Sequence, residues 1–201
     1  MRYDAIIVGG SFAGLSAAMY VARARRTVAI IDAGTPRIRF AAHSHGFFAQ
    51  DGSEPAAMLA AARAQVAAYP TVSFVTGEAV SAVKEEDGFS VVLASGEVLE
   101  GSRLVLAFGI SDELPDIPGI AERWGKSVIH CPYCHGYEFS GQRLGVLKLS
   151  EMSLHQAMLI AEWGPTTLYL NADPEADAET LAKLRERGVG RGEFVGGGVA
   201  P

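Results

Sequence analysis

The sequence is poor in several features that would assign it to common classes of protein. It has only two cysteines in 201 residues, and its formal net charge of −6 offers no excess of positive charge to nucleic acid or an anionic membrane. The longest apolar runs, such as Ala5-Ile6-Ile7-Val8, have the length of a strand, not of a membrane-spanning helix. The N-terminus leads directly into that run and lacks the pattern of a signal peptide. We therefore expect a cytoplasmic protein that has no nucleic-acid or membrane partner.

The sequence is instead rich in apolar residues that follow alternating strand and helix patterns. Hydrophobic residues make up 49% of the chain, which is enough for a sizeable core. The patterns predict a buried strand at residues 3–8, an alanine-rich helix at residues 15–25 and a second buried strand at residues 27–31. A strand–helix–strand unit of this kind implies a parallel sheet. The predicted fold class is therefore α/β, with a Rossmann-like domain at the N-terminus.

Further along the chain the patterns predict two domains. Alternating apolar residues predict a β-meander, with strands at residues 72–75, 78–84 and 89–94. A segment with two prolines at residues 113–119 is predicted to be a linker, and a second strand–helix–strand pattern follows it. We predict an N-terminal nucleotide-binding domain over residues 1–112, a partial second Rossmann-like domain over residues 120–190, and a flexible tail at residues 191–201.

Local signals add three smaller predictions. Residues 34–52 are predicted to form a long irregular segment, and such segments more often bind a ligand than merely connect elements. A helix is predicted to begin at Pro55, with Ser53 as its N-cap. The glycine-rich residues 188–201 are predicted to be unstructured.

The turn after the first strand has the arrangement of a dinucleotide-binding fingerprint. Gly9 permits the sharp turn, and Gly14 lets the helix pack closely on the strand, so that N–H groups at the helix N-terminus face a pyrophosphate. Ser11 replaces the usual middle glycine. Asp32 ends the second strand, where a carboxylate can accept hydrogen bonds from ribose hydroxyls. The competing interpretation is an ordinary turn, and the agreement of strand, turn, helix and acid favours the cofactor site.

Both cysteines lie in one tetrapeptide, Cys131-Pro132-Tyr133-Cys134. A dithiol exchanges electrons through its thiolate, and a helix that begins at Pro132 would favour the anion. A flavin is the usual electron partner of such a pair. The fingerprint and the cysteine pair together therefore indicate a flavin-dependent thiol–disulfide oxidoreductase.

Two other interpretations of the tetrapeptide are weaker. A zinc site could use the cysteines with the flanking His130 and His135, but a structural zinc site usually adds a second, distant pair of ligands. Only His43, His45 and His155 remain for that role, so we expect no metal. The tetrapeptide also matches glutaredoxin, in which it follows the first strand of a small domain, whereas here 130 residues precede it.

The motifs together resemble the thioredoxin reductase family, and within it the branch of FAD-dependent small-molecule dithiol oxidases. Residues 6–18 resemble the family's first flavin motif, and residues 104–109 with the following linker resemble its second. The cysteine tetrapeptide stands where the family keeps its redox pair. Ser44-His45-Gly46 and the histidine after the second cysteine are similar to the dithiol oxidase branch. The resemblance covers about residues 3–170.

This resemblance implies FAD as the cofactor and assigns roles to individual residues. It places Cys134 next to the flavin and gives Cys131 the exchange with substrate. His135 stands where the family has its proton donor, and Glu138 is the alternative acid. The substrate would be a small-molecule dithiol or disulfide or a small redox protein, and a homodimer is compatible with this interpretation. The residues implied to bind the cofactor are Gly9, Gly10, Ser11, Phe12, Ala13, Gly14, Asp32, Ala33, His45, Ala107 and Gly109.

The sequence departs from the family at two places. Lys148, Ser150 and Ser153 stand where a second glycine motif would bind a nicotinamide cofactor, and residues 171–175 are acidic where arginines would hold a 2′-phosphate. We therefore do not expect NAD(P)H as the electron donor. The sequence also ends at Pro201, before the family's C-terminal flavin segment, which predicts a truncated chain. An NADPH-dependent thioredoxin reductase and a truncated, non-catalytic remnant remain alternatives.

Overall fold

The computed structural model describes residues 1–171 and 177–193, and the chain divides into two compact units. The first unit comprises Met1–Ser44 and Gly52–Asp112. The second comprises His45–Asp51 and the chain from Glu113 onward. The short segment His45–Asp51 therefore packs in the second unit although the residues on both sides of it belong to the first.

The first unit consists of two sheets and two α-helices. Its strands are β1 (Arg2–Tyr3), β2 (Ala5–Val8), β3 (Val28–Asp32), β4 (Val72–Thr76), β5 (Ala79–Glu85), β6 (Gly88–Leu93), β7 (Val98–Gly101) and β8 (Leu104–Leu106). Its helices are α1 (Phe12–Arg23) and α2 (Pro55–Ala67). One sheet is fully parallel, in the order β4-β3-β2-β8, and the other has the order β1-β7-β6-β5, in which β5, β6 and β7 form an antiparallel meander.

The parallel sheet is buried on both faces, which explains why its strands are continuous apolar runs. On one face Ile7 and Ile30 pack with Leu15 of α1 and Val66 of α2. On the other face Ile6 and its neighbours pack against apolar residues of the meander: Val91, Leu93 and Leu99. This arrangement fixes the carboxyl ends of β2, β3 and β8 at one edge of the sheet, where the predicted cofactor residues other than His45 lie.

The second unit has a smaller parallel sheet and short helices. Its strands and α-helices are α3 (Ile120–Arg123), α4 (Pro132–His135), β9 (Leu144–Leu147), α5 (Met152–Ile160), β10 (Thr166–Tyr169), α6 (Ala178–Glu186) and β11 (Gly190–Gly192), and a 3₁₀ helix at Tyr137–Phe139 follows α4. The strand order is β11-β10-β9, and all pairs are parallel. The core of this unit is formed by buried apolar residues of the sheet and of α5 and α6: Val146, Leu154, Ala157, Leu168, Leu184 and Val189. The predicted α/β class, with a parallel sheet, a meander and a second Rossmann-like part, is confirmed.

The prediction that the glycine-rich end is unstructured from residue 188 is wrong for residues 190–192. These residues form β11 and pair with β10, because a ladder of backbone hydrogen bonds needs no side chains. The contact with Tyr169 favours glycine at Gly192, because an added methyl carbon would lie 2.9 Å from the Tyr169 ring. The rest of the predicted tail, residues 194–201, and residues 172–175 of the acidic stretch lie outside the described residues.

Two further local predictions are corrected. The segment predicted to be irregular contains a 3₁₀ helix at Arg37–Phe40. The N-cap of α2 is Glu54 and not Ser53. Ser53 pairs instead with Ser44, whose backbone N–H donates to the Ser53 carbonyl oxygen at 2.8 Å. Of the helices that the structure describes, none combines the length and the apolar character needed to cross a membrane.

Candidate active site

The turn between β2 and α1 is closed by very close backbone contacts. Gly9 has a φ of 114°, and a methyl carbon added there would lie 2.1 Å from the carbonyl oxygen of Ala107, just after β8. A methyl carbon added at Gly14 would lie 1.8 Å from the carbonyl oxygen of Gly9. Only glycine fits at either position. The structure thus brings the first predicted flavin motif into contact with the second, through Ala107.

Asp32 lies directly above this turn, at the end of β3. A methyl carbon added at Gly10 would lie 2.5 Å from the carboxyl carbon of Asp32. One carboxylate oxygen of Asp32 accepts the Gly34 N–H at 3.0 Å, and the other accepts Nη1 of Arg63 at 2.8 Å. The analysis of the sequence did not identify Arg63, although a single charged residue on an otherwise uncharged helix is a signal that could have found it.

The start of α1 completes a cradle for an anionic group. Within the described part of the chain, the hydroxyl of the N-cap Ser11 makes no capping hydrogen bond to α1. Phe12 and Ala13 form the first turn of this twelve-residue helix, whose N-terminal end carries partial positive charge. Ala33 and Gly109 are exposed at the same edge of the sheet, at the ends of β3 and β8. The glycine cradle, the helix N-terminus and Asp32 fit the adenosine diphosphate part of FAD.

The cysteine pair lies in the second unit, at a single turn of helix. Helix α4 has four residues, and the backbone N–H of Cys134 donates to the carbonyl oxygen of Cys131 at 3.3 Å. Both cysteines are half-buried. The expected helix at Pro132 is thus present but short, and one turn aligns few peptide dipoles, so it favours a thiolate less than a longer helix would.

Close packing fixes the position of this turn. Gly136 follows α4, and a methyl carbon there would lie 2.4 Å from the carbonyl oxygen of Pro132 and 3.2 Å from the indole nitrogen of Trp163. The ring of Tyr133 meets Trp163 edge-on, with ring centroids 5.4 Å apart. Trp163, which follows α5, therefore supports the backbone that carries the cysteines.

Two histidines and two carboxylates gather beside the cysteine turn. Nδ1 of His45 lies 3.5 Å from Oε1 of Glu138 and 3.7 Å from Oδ1 of Asp51. The rings of His45 and His135 meet nearly at right angles, with centroids 6.2 Å apart. Asp51 also accepts the backbone N–H of Gly46 at 2.8 Å, which holds the loop in place. His45 therefore lies in the same unit as the cysteines. Asp51 also belongs to this cluster, although it was not among the residues predicted from the sequence.

The environment of His135 changes its protonation. Burial lowers the pKa of His135 below its usual value of 6.5, Glu138 opposes this shift, and His45 adds to it. The net effect favours the neutral imidazole. A neutral imidazole beside a thiol pair can accept a proton at the pH at which thiol exchange takes place.

The zinc alternative would need a set of ligands grouped around the cysteines. Among residues 1–171 and 177–193, no three histidine, cysteine or acidic side chains are grouped so as to hold a metal ion. The ring of His130 packs against Trp124, with centroids 5.6 Å apart. The zinc interpretation therefore has no supporting ligand set in the described chain.

The turn between β9 and α5 is filled by its own side chains. The hydroxyl of Ser153 accepts the backbone N–H groups of Leu149, at 3.1 Å, and Ser150, at 3.3 Å. Lys148 is almost fully buried, and its ammonium lies 3.2 Å from a carboxylate oxygen of Glu151. In a dinucleotide site such N–H groups would face a pyrophosphate. Here an internal hydroxyl already occupies them.

Comparisons with known proteins agree with this geometry. The sequence model of the family described as pyridine nucleotide-disulphide oxidoreductase matches residues 3–147. Thioredoxin reductase tcpT of Claviceps purpurea is 36% identical over 89% of this chain, and thioredoxin reductase aclD of Aspergillus oryzae is 34% identical over 92%. The solved oxidoreductase from Agrobacterium tumefaciens is 46% identical, covers 98% of this chain and superposes with a TM-score of 0.90.

The chain is shorter than these relatives. It spans 59% of the Claviceps protein, 62% of the Aspergillus protein and 69% of the solved Agrobacterium chain. The matched part includes both the nucleotide turn and the cysteine pair.

Proposed function

The chain belongs to the pyridine nucleotide-disulphide oxidoreductase family, and from this premise we propose that it is an FAD-dependent thiol–disulfide oxidoreductase that oxidises a dithiol substrate. The observation that carries this proposal is the cluster around Cys131 and Cys134, in which His135 has a lowered pKa, meets the ring of His45 and interacts with the charge of Glu138. An acid–base group beside two half-buried thiols is what thiol–disulfide exchange requires.

The reaction can be written with balanced atoms and electrons. A thiolate of the substrate attacks Sγ of Cys131, the Cys131–Cys134 bond breaks, and Cys134 leaves as a thiolate. The second substrate thiolate attacks the substrate sulfur of this mixed disulfide and releases Cys131. The substrate thus loses two electrons and two protons and gains an S–S bond, while the cysteine pair gains the same electrons and protons. The assignment of attack to Cys131 rests on the family resemblance.

His135 would move the protons of these steps. As a neutral imidazole it can accept the proton of the substrate thiol, and the resulting imidazolium can return it to the departing thiolate. Glu138 stabilises the imidazolium because it adds a negative charge nearby. His45 and Asp51 border the same cluster, where they would hold Glu138 in place.

The first unit would hold the cofactor with groups that are already in place. Gly9 and Gly14 permit the tight turn at which the N-terminus of α1 would hold the pyrophosphate, and Asp32 would hold the ribose. Bound FAD would supply a two-electron acceptor for the reduced cysteines, with molecular oxygen as the terminal oxidant and hydrogen peroxide as its product.

The turn between β9 and α5 supports oxygen, rather than a nicotinamide cofactor, as the electron-transfer partner of the flavin. Ser153 satisfies the N–H groups that would bind a nicotinamide cofactor's pyrophosphate, and the buried Lys148 already pairs with the exposed carboxylate of Glu151. The names of the two fungal relatives favour a second candidate, NADPH-dependent reduction of a protein disulfide. The filled turn argues against it.

An oxygen-uptake assay tests the proposed function. The chain is mixed with added FAD and dithiothreitol, and oxygen consumption and peroxide formation are followed in the wild type, Cys131→Ser and Cys134→Ser. We expect uptake above that of free FAD in the wild type and in the control His155→Ala, which changes an exposed histidine of the same unit. Both serine variants should fall to the rate of free FAD. Equal rates in all four proteins would contradict the proposal.

A further inference from the structure

Arg63 is a charged residue in an unusual place. It is the only charged residue among the thirteen of α2, all of which lie in the described part of the chain. Its Nη1 lies 2.8 Å from Oδ2 of Asp32, and its guanidinium carbon lies 4.1 Å from the ring centroid of Phe74 on β4. The aromatic face and the carboxylate together hold the guanidinium plane in one orientation.

Asp32 is restrained from several sides by these contacts. Oδ1 accepts the Gly34 N–H at 3.0 Å, Oδ2 accepts Arg63, and the carboxyl carbon is so close to Gly10 that a methyl carbon added there would lie 2.5 Å from it. An ionised carboxylate offers about four lone-pair positions. Two are used by these donors, so two remain for the hydroxyls of a ribose placed at the turn.

We propose that Arg63 is a positioning residue of the nucleotide site. It acts through Asp32: it fixes the carboxylate so that the remaining lone pairs meet the ribose of an adenosine diphosphate group. The inference rests on the nucleotide site of the proposed function and not on its cysteine chemistry.

The alternative role is that of an ordinary surface ion pair. Such pairs contribute little when both side chains are mobile and solvated. Here Arg63 is stacked on Phe74, Asp32 is bonded at both oxygens, and the side chains are only 39% and 23% exposed. The pair is therefore ordered before a ligand arrives, which is the property that a positioning residue needs.

ADP binding measured by titration calorimetry tests this role in the intact chain. ADP carries the adenosine and pyrophosphate of FAD but no flavin ring, so its affinity does not depend on the cysteines or on oxygen chemistry. We expect Arg63→Ala to weaken ADP binding about tenfold, as loss of a hydrogen bond to a charged group does. Asp32→Asn should weaken it to a similar extent.

A double-mutant cycle separates action through Asp32 from direct contact with the phosphates. In the Asp32→Asn background, Arg63→Ala should cause little further loss. In the chain with Asp32 intact, Arg63→Lys should bind ADP more tightly than Arg63→Ala, because an ammonium can still donate to Oδ2 although it does not stack on Phe74 as a guanidinium does. The matched control is Arg23→Ala, which removes the same charge at the far end of α1, where Arg23 bonds the Tyr69 hydroxyl.

Several results would overturn the inference. Wild-type affinity in Arg63→Ala would show that Asp32 needs no support. An equal loss in the Asp32→Asn background would show that Arg63 contacts the ligand itself. Failure of Arg63→Lys to recover binding would assign the effect to packing. Absence of ADP binding in the wild type would remove the nucleotide site. Oxygen uptake that fails in a chain that binds ADP would count against the proposed electron transfer between flavin and cysteines and would leave this inference intact.

Discussion

His135 is the residue whose charge state controls the proposed exchange. Burial lowers its pKa, Glu138 raises it in part, and His45 lowers it further. These three effects act on one imidazole next to Cys134 in the chain, so the site can be tuned by single substitutions around it. A partly buried histidine with a lowered pKa remains a neutral base at a lower pH than a free histidine does.

The first prediction concerns Glu138. Glu138→Gln should lower the pKa of His135 further, because it removes the negative charge that favours the imidazolium. Proton NMR titration of the His135 ring should give a midpoint below the usual 6.5 in the wild type and a lower one in the variant. The control is Glu122→Gln, which changes an exposed carboxylate of the same unit and should leave the midpoint where it was.

The same shift has a consequence for stability. With its pKa lowered, folded His135 binds fewer protons than unfolded His135, so its contribution to stability is complete above pH 6.5 and declines as the pH falls through that value. A midpoint at or above 6.5 in the folded wild type would contradict this account of the site.

At the scale of elements, the second prediction concerns the β2–α1 turn. Gly14→Ala should abolish ADP binding and lower the thermal stability, because the new methyl carbon would lie 1.8 Å from the Gly9 carbonyl and force the helix away from the strand. Helix propensity alone would favour alanine here by about 1 kcal/mol. Calorimetry with ADP and thermal unfolding would measure both effects. Ser16→Ala, at an exposed position of α1, is the control. Wild-type ADP affinity in Gly14→Ala would argue against a nucleotide site at this turn.

The third prediction concerns the β9–α5 turn and its affinity for NADPH. When the β2–α1 turn is saturated with ADP, the dissociation constant of NADPH should be larger than about 1 mM. This limit corresponds to a binding free energy of about −4 kcal/mol. The reason is that the N–H groups of Leu149 and Ser150 already bond to Ser153. Calorimetry or fluorescence of the reduced nicotinamide would detect binding. Micromolar affinity would restore the nicotinamide-dependent alternative.

The sequence predicts the central strands and helices better than it predicts the peripheral strand β11 and the ends of helices. The unit from β2 to β3 could be recognised because each strand is a continuous apolar run and the turn between them requires glycine. β11 could not, because Gly190–Gly192 has no side-chain pattern and is held by backbone pairing to β10. The cap of α2 was misassigned because Ser53 pairs with Ser44 nine residues earlier, a contact that local propensity does not encode.

The candidate site shows the same limit. Gly9, Gly14 and Asp32 follow a spacing that the sequence displays directly. The contact of Arg63 with Asp32 and the grouping of His45 with His135 join residues that are far apart in the chain. Such contacts arise only from the packing of α2 and of the segment His45–Asp51. The sequence contains these residues, but it does not show which of them contact one another in the folded chain.

At the scale of the whole molecule, the chain spans about three fifths of its fungal relatives. The family resemblance places part of the flavin site in a C-terminal segment, whereas the described cradle fits the adenosine diphosphate end. We therefore expect FAD to bind the 201-residue chain no more than about tenfold more tightly than ADP, a difference of about 1.4 kcal/mol. Calorimetry with the two ligands measures this ratio. A ratio of several hundred or more would show that these residues also bind the flavin ring.

The central claim is that Cys131 and Cys134 act as one two-electron couple, and a redox titration tests it most directly. The chain is equilibrated in glutathione buffers of graded potential, the remaining thiols are alkylated, and each cysteine is quantified by mass spectrometry. The account predicts that both thiols disappear together, as one intramolecular disulfide, with a midpoint between about −300 and −120 mV, the range of exchanging pairs. Thiols that titrate independently, or that form only mixed disulfides with glutathione, would contradict it.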